Sequence, residues 1–88
     1  MQIAALGLAT VSGRVEGAEI VEVVRGSVAD WAGLQPGDVI NGVEGKPVRN
    51  PMELTAELSG RAAGEKVRLT VMVRGYWQTE TTLVLGGR

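Results

Sequence analysis

The chain has 88 residues, 44% of them apolar and 22% charged, with nine basic against ten acidic side chains for a net charge of −1. That length supports one hydrophobic core and excludes a second domain, and charges of both signs scattered along the chain leave no basic stripe for a nucleic-acid backbone. The absence of Cys and His excludes disulfides, thiolate or imidazole metal sites and any nucleophile–histidine pair, and no apolar run reaches the roughly 18 residues of a membrane span.

Aromatic residues are scarce, with two Trp, one Tyr and no Phe, so the core has to be built from Val, Leu, Ile and Ala. The thirteen glycines fall as punctuation between short apolar runs, without any repeat. Met1 to Val11 lacks the basic start and cleavage site of a signal peptide, so no targeting segment is expected within these residues, and the chain reads as a piece of a longer protein.

In chain order, Ala4 to Val11 is apolar and stops at Ser12-Gly13, and Ile20 to Val24 is a β-branched run closed by Arg25-Gly26; both predict strands. Ser27 with Asp30 three residues on predicts a short capped helix, with Gly33 at its C′ position. In Gln35-Pro36-Gly37-Asp38 the proline fixes φ and the glycine supplies a positive one, a turn leading into the strand at Val39-Ile40. Asn50-Pro51-Met52-Glu53 combines an Asn N-cap, Pro at the first helical position and Glu at N3, which starts a helix at Pro51 that Gly60 ends.

From Lys66 to Val73 the alternation of Val67, Leu69, Val71 and Val73 with Lys66, Arg68, Thr70 and Met72 predicts a half-buried strand. Arg74-Gly75 connects it to a returning strand in which Trp77, Thr79, Thr81, Leu83 and Leu85 share one face. Gly86-Gly87-Arg88 reads as a frayed tail. The sum is one small α+β domain over 1–88, with its core at about 6–85: five or six short strands in a partly open barrel, one short helix and one longer helix sealing an opening. Trp31 and Trp77 are expected to cover partly buried apolar surface rather than to form a site.

The run Gly33-Leu34-Gln35-Pro36-Gly37-Asp38-Val39-Ile40 resembles the turn and strand of PDZ domains, particularly the bacterial type attached to HtrA-like serine proteases and site-2 metalloproteases. The likeness continues through Val43-Glu44-Gly45-Lys46-Pro47-Val48, the helix from Pro51, Gly64, and Val73-Arg74-Gly75, and so spans about Leu6 to Leu85. It implies a permuted strand order in which the last strand takes the place of the first strand of animal PDZ domains, leaving Met1 to Ala5 as a mere lead-in. Glu44 departs from the family's usual Asn or Asp before Gly45.

The resemblance also implies a site made mostly of backbone. Ala5-Leu6-Gly7-Leu8 resembles the carboxylate-binding loop, whose N–H groups converge on a peptide terminus, and Leu8-Ala9-Thr10-Val11 would be the strand to which the peptide adds. Leu54 and Leu58 would form the helix wall, with Leu6 and Leu8 on the floor; which leucine faces the groove and which the core stays open, because any helix on a small sheet needs an apolar stripe. Met52, Glu53 and Leu54 stand where animal domains that prefer a hydroxyl residue in the ligand carry a polar one, so that preference is not expected. A β-branched side chain at Gly7 is expected to disable the loop while sparing the fold.

The expected partners are C-terminal or internal peptide segments and a linked protease domain, in a periplasmic or cell-envelope setting, with no cofactor, no metal, no nucleic acid and no membrane contact within this segment. Catalysis is not expected: Ser12, Ser27 and Ser59 lack a base, and the carboxylates are dispersed rather than paired. The competing reading is a structural or assembly module of the same fold whose groove is unused or covered.

Overall fold

The computed structural model describes residues 2–3, 6–74 and 76–85. Its elements run β1 (Gln2–Ile3), β2 (Leu8–Val11), β3 (Ala18–Val23), α1 (Val28–Trp31), β4 (Val39–Val43), β5 (Lys46–Pro47), α2 (Pro51–Leu58), β6 (Lys66–Val73) and β7 (Trp77–Val84). The strands form one antiparallel sheet in the order β1-β2-β3-β4-β6-β7, with β5 paired to β4. This is the small, open α+β architecture that the sequence predicts. The neighbour of β6 at the sheet's end is the last strand and not the first, which is the permuted order. Ala4, Ala5, Gly75 and the Gly86-Gly87-Arg88 tail lie outside the described residues.

Both helices begin where their capping residues place them. The Ser27 hydroxyl accepts from the Asp30 N–H at 3.2 Å, and the Asp30 carboxylate accepts from the Gly26 N–H at 2.8 Å, so two of the donors left over at the start of α1 are satisfied reciprocally. At α2 the Asn50 side chain accepts from the Glu53 N–H at 2.9 Å, and Glu53 reaches back to the Arg49 N–H at 2.7 Å. The other end of α2 is held by Arg61, which donates to the Glu57 carbonyl and pairs with Glu65, each at 2.9 Å.

The core is aliphatic, as the composition requires. Leu6, Leu8, Ile20, Ile40, Val43, Leu54, Val67, Leu69 and Val71 are all buried in one cluster. The period-2 pattern of β6 is realised in Val67, Leu69 and Val71, while Val73 is only half-buried. On β7 the inward alternation holds at Leu83 and fails at Trp77 and Thr79, which are exposed, because the end of the β6–β7 hairpin runs out past the core. The expected cover by tryptophan is therefore not found: Trp77 is 75% exposed and Trp31 is 85% exposed. In α1 the residue facing the core is Ala29, and Trp31, two positions on, projects from the opposite side of the helix.

Two turns are secured by acidic side chains. Asp38 is buried, and its carboxylate accepts from the Gln35 N–H and the Arg74 N–H, each at 3.1 Å, tying the Pro36-Gly37 turn to the end of β6. Glu44 takes φ 51 beside Gly45 at φ 82, the left-handed pair of a tight hairpin in which Asn or Asp is usual. The departure is accommodated by hydrogen bonds in both directions: the Glu44 N–H donates to the Arg68 carbonyl at 2.8 Å, and its carboxylate accepts from the Arg68 N–H at 2.7 Å.

Leu69→Ala is expected to lower the unfolding free energy by about 2–5 kcal/mol through lost burial and a residual cavity, which chemical denaturation would measure; a change near zero contradicts the inward alternation of β6. Asp38→Ala is expected to lose about 1–3 kcal/mol by removing the acceptor of two backbone donors, and Asp38→Asn should recover part of that loss in the same measurement.

Candidate functional site

Leu6, Gly7 and the first residues of β2 lie at one end of the sheet, and several backbone bonds define them. The Leu6 carbonyl accepts from the Ala29 N–H at 2.9 Å and the Gly7 carbonyl from the Val24 N–H at 2.8 Å. The loop is thereby tied to the end of β3 and to α1. Gly7 has φ 75, and a β-carbon built on it would sit 2.2 Å from the Ser27 Cβ. Residue 7 is therefore glycine for two reasons, the left-handed backbone and the absence of room.

Strand β2 has Leu8 and Thr10 buried and Ala9 and Val11 on the other face. One of its edges pairs with β3, with an irregularity in register between Ala9 and Thr10 that leaves Val21 of β3 as an extra residue; such a bulge adds local twist. The other edge pairs antiparallel with β1, Ile3 opposite Leu8 and Gln2 opposite Ala9. Beyond Ala9, a cleft lined by Ser12, Asn50, Pro51 and Met52 separates the end of β2 from the start of α2.

The residues singled out in the sequence are thus distributed unevenly. Leu6, Gly7, Leu8, Ala9 and Thr10 form one continuous loop and strand, and Ala5 lies outside the described residues. Leu54 is wholly buried and Leu58 is 8% exposed, and both belong to the same apolar cluster as Leu6 and Leu8. Met52, 70% exposed, lines the cleft; the sequence reading places it at the helix start but not in the leucine wall of the groove. The signal that could have found it is its place in the first turn of a capped helix, off the Leu54–Leu58 stripe. Arg61 and Arg68 are engaged elsewhere: Arg61 at the end of α2, Arg68 at 4.0 Å from Glu80.

The first residues of the chain carry the clearest departure from the sequence reading, which treats Met1 to Ala5 as a lead-in. Gln2–Ile3 is a strand, and the Ile3 carbonyl accepts from both the Leu6 N–H at 3.1 Å and the Gly7 N–H at 2.9 Å. Ile3 is 5% exposed and sits in the core cluster with Leu6, Leu8, Leu54 and Leu58. Two residues are too few to display a period, which is why the pattern of the sequence does not reveal them.

A glycine-permitted loop feeding β2, with β1 on its outer side and a helix across a cleft from it, fits the plan of a peptide-binding β-domain, and comparison with known proteins agrees on the family. Residues 4–72 match the PDZ domain family, and the chain belongs to that family. It is 39% identical over 74 residues to the magnetosome formation protease MamE of Magnetospirillum gryphiswaldense, covering 81% of this chain and 10% of that protein. It is 36% identical over 68 residues to the periplasmic pH-dependent serine endoprotease DegQ of Escherichia coli, covering 76% of this chain and 15% of DegQ. Among solved structures, the HtrA-type protease AlgW with a decapeptide superposes with a TM-score of 0.82 at 22% identity, over 94% of this chain and 29% of that one. The chain therefore spans only a small part of the relatives it matches, and those relatives are proteases in which the PDZ domain is a non-catalytic portion.

The contact of Gly7 with Ser27 has a measurable signature. Gly7→Val does not spare the fold, because the added side chain meets the helix cap as well as the left-handed backbone. Gly7→Ala is expected to destabilise by about 2 kcal/mol or more, and in a Ser27→Gly background the further loss should shrink toward the roughly 1–2 kcal/mol of the backbone conformation alone. A double-mutant cycle by thermal or chemical unfolding reads the difference; strict additivity contradicts the contact.

Proposed function

We propose that the domain captures an extended hydrophobic segment, by preference a free C-terminus, as an added strand along β2, and serves as the regulatory or substrate-tethering part of a periplasmic bacterial protease. The observation that carries this reading is the Leu6–Gly7 loop. Its glycine holds successive N–H groups on one side at the entrance to β2, the arrangement that receives a carboxylate. Among the described residues β1 pairs with β2 at Leu8 and Ala9, and the cleft between Ser12 and Met52 lies along the line a longer peptide would follow. The name of the AlgW structure includes a decapeptide, and DegQ and its relatives are named as periplasmic proteases; both support the reading for this chain.

In this reading Ala5, Leu6, Gly7 and Leu8 receive the peptide terminus, Ala9 and Thr10 pair with its backbone, and Leu54 and Leu58 support the apolar floor from beneath rather than standing at the surface. Met52 borders the far end. Discrimination among peptides then rests on shape and apolarity, since Leu6, Leu8, Leu54 and Leu58 are aliphatic. A segment of four or five residues that must be ordered for few contacts binds in the micromolar range, about −7 to −8 kcal/mol. The alternative, an assembly module whose groove is covered, is favoured by one observation: the Leu6 and Gly7 N–H groups already have the Ile3 carbonyl as acceptor.

Fluorescence polarisation with free C-terminal heptapeptides, each hit repeated as its C-terminal amide, separates the two. Loss of binding on amidation is the expected result and identifies a reader of carboxylate termini. Hits indifferent to amidation would replace it with recognition of internal segments, and no hits would favour the assembly module.

A further inference from the structure

Strand β1 lies on the edge of β2 that an added peptide strand would use, and it does so in the orientation of a ligand. It runs antiparallel to β2, with Ile3 opposite Leu8 beside the loop and Gln2 one step out opposite Ala9. Its carbonyl end therefore points into the loop, where the Ile3 oxygen accepts from the Leu6 and Gly7 N–H groups at 3.1 and 2.9 Å. The Ile3 side chain enters the apolar cluster that contains Leu6, Leu8, Leu54 and Leu58, so backbone oxygen and aliphatic side chain together occupy what a hydrophobic C-terminal residue would need.

We propose that Gln2–Ile3 is a built-in competitor for the groove, an intramolecular strand that holds the site closed until a peptide displaces it. The proposal rests on the peptide-capture reading and names the regulation of that site. Only Ala4 and Ala5 separate the competitor from the loop, so its effective concentration there is of millimolar order or above, which exceeds that of free peptides binding in the micromolar range. At the same time a strand of two residues makes few bonds against the entropy of ordering it, which keeps it displaceable. If the closed form outweighs the open one by about ten to one, the apparent affinity for an outside peptide is reduced by about the same factor. A segment of opposite sequence polarity, or one whose apolar residue faced solvent, would do none of this.

Two measurements test the proposal. Ile3→Ser removes the apolar anchor and is expected to tighten binding of a hydrophobic C-terminal heptapeptide about ten-fold by fluorescence polarisation; a purely structural Ile3 predicts weaker or unchanged binding, and that result overturns the proposal. Should Ile3→Ser fail to fold, the pair Gln2→Cys with Ala9→Cys gives the second reading in a chain that has no cysteine of its own. Opposed residues of an antiparallel pair lie at about 4.5–5.5 Å between Cα atoms, within the range a disulfide spans. The crosslink is expected to form on mild oxidation and to abolish peptide binding, with reduction restoring it. Failure to crosslink, or peptide binding that survives in the oxidised form, overturns the proposal. A crosslink that forms while neither the reduced protein nor Ile3→Ser binds any peptide supports standing occupancy of the edge and sinks the peptide-capture reading instead.

Discussion

Gly7 and Ser27 approach until the serine Cβ occupies the space that a side chain at residue 7 would need. The approach joins two parts of the chain that are distant in sequence, 6–8 and 24–29. Ser27 is the N-cap of α1, Leu6 and Gly7 accept from Ala29 of α1 and from Val24 just past β3, and Leu8 opens β2. Were the loop to stand off by the width of a methyl group, those backbone bonds would lengthen together, and β2 would lose the anchor that sets its start. A short helix of four residues has little stability of its own, so its position depends on this contact as much as the loop does.

The remainder of the fold sets the surroundings of β2. Asp38 joins the Pro36-Gly37 turn to the β6–β7 hairpin, and Ile40 and Val43 of β4 with Val67, Leu69 and Val71 of β6 contribute to the buried core. Helix α2 covers the core through Pro51, Leu54 and Leu58, and this leaves Met52 of its first turn exposed on the cleft beside Ser12. The same apolar stripe that binds the helix to the sheet therefore decides how far the helix stands from the edge strand. Groove and core are not separate constructions here.

In the proposed function the site is composed of backbone, and this has a particular consequence. Its donors are present whatever the side chains are, so any strand that reaches the edge in the right direction can use them, including one supplied by the same chain. Ile3 does so, with its carbonyl on the loop and its side chain in the cluster. Selectivity between an internal strand and an outside one then follows from tether and length rather than from a dedicated recognition residue.

The sequence by itself determined the class of fold and both helix starts, because each depends on local chemistry: Ser27 and Asn50 as caps, Pro36-Gly37 as a turn, and the strict alternation of Val67, Leu69 and Val71. The residues of Ala4 to Val11 read as one strand, and only the family resemblance broke it at Gly7. What the tertiary structure decided are matters of distance between remote segments. Among them are the burial of both Leu54 and Leu58, the exposure of Trp31 and Trp77, the use of Glu44 where Asn is usual through its bonds with Arg68, and the seating of Gln2–Ile3 on β2. Periodicity says that a residue has an apolar neighbour on its own face; it does not say which element supplies that neighbour, and a strand of two residues has no period to read. Those outcomes depend on where the packed sheet ends and what lies across its edge, and neither is encoded in any single run of residues.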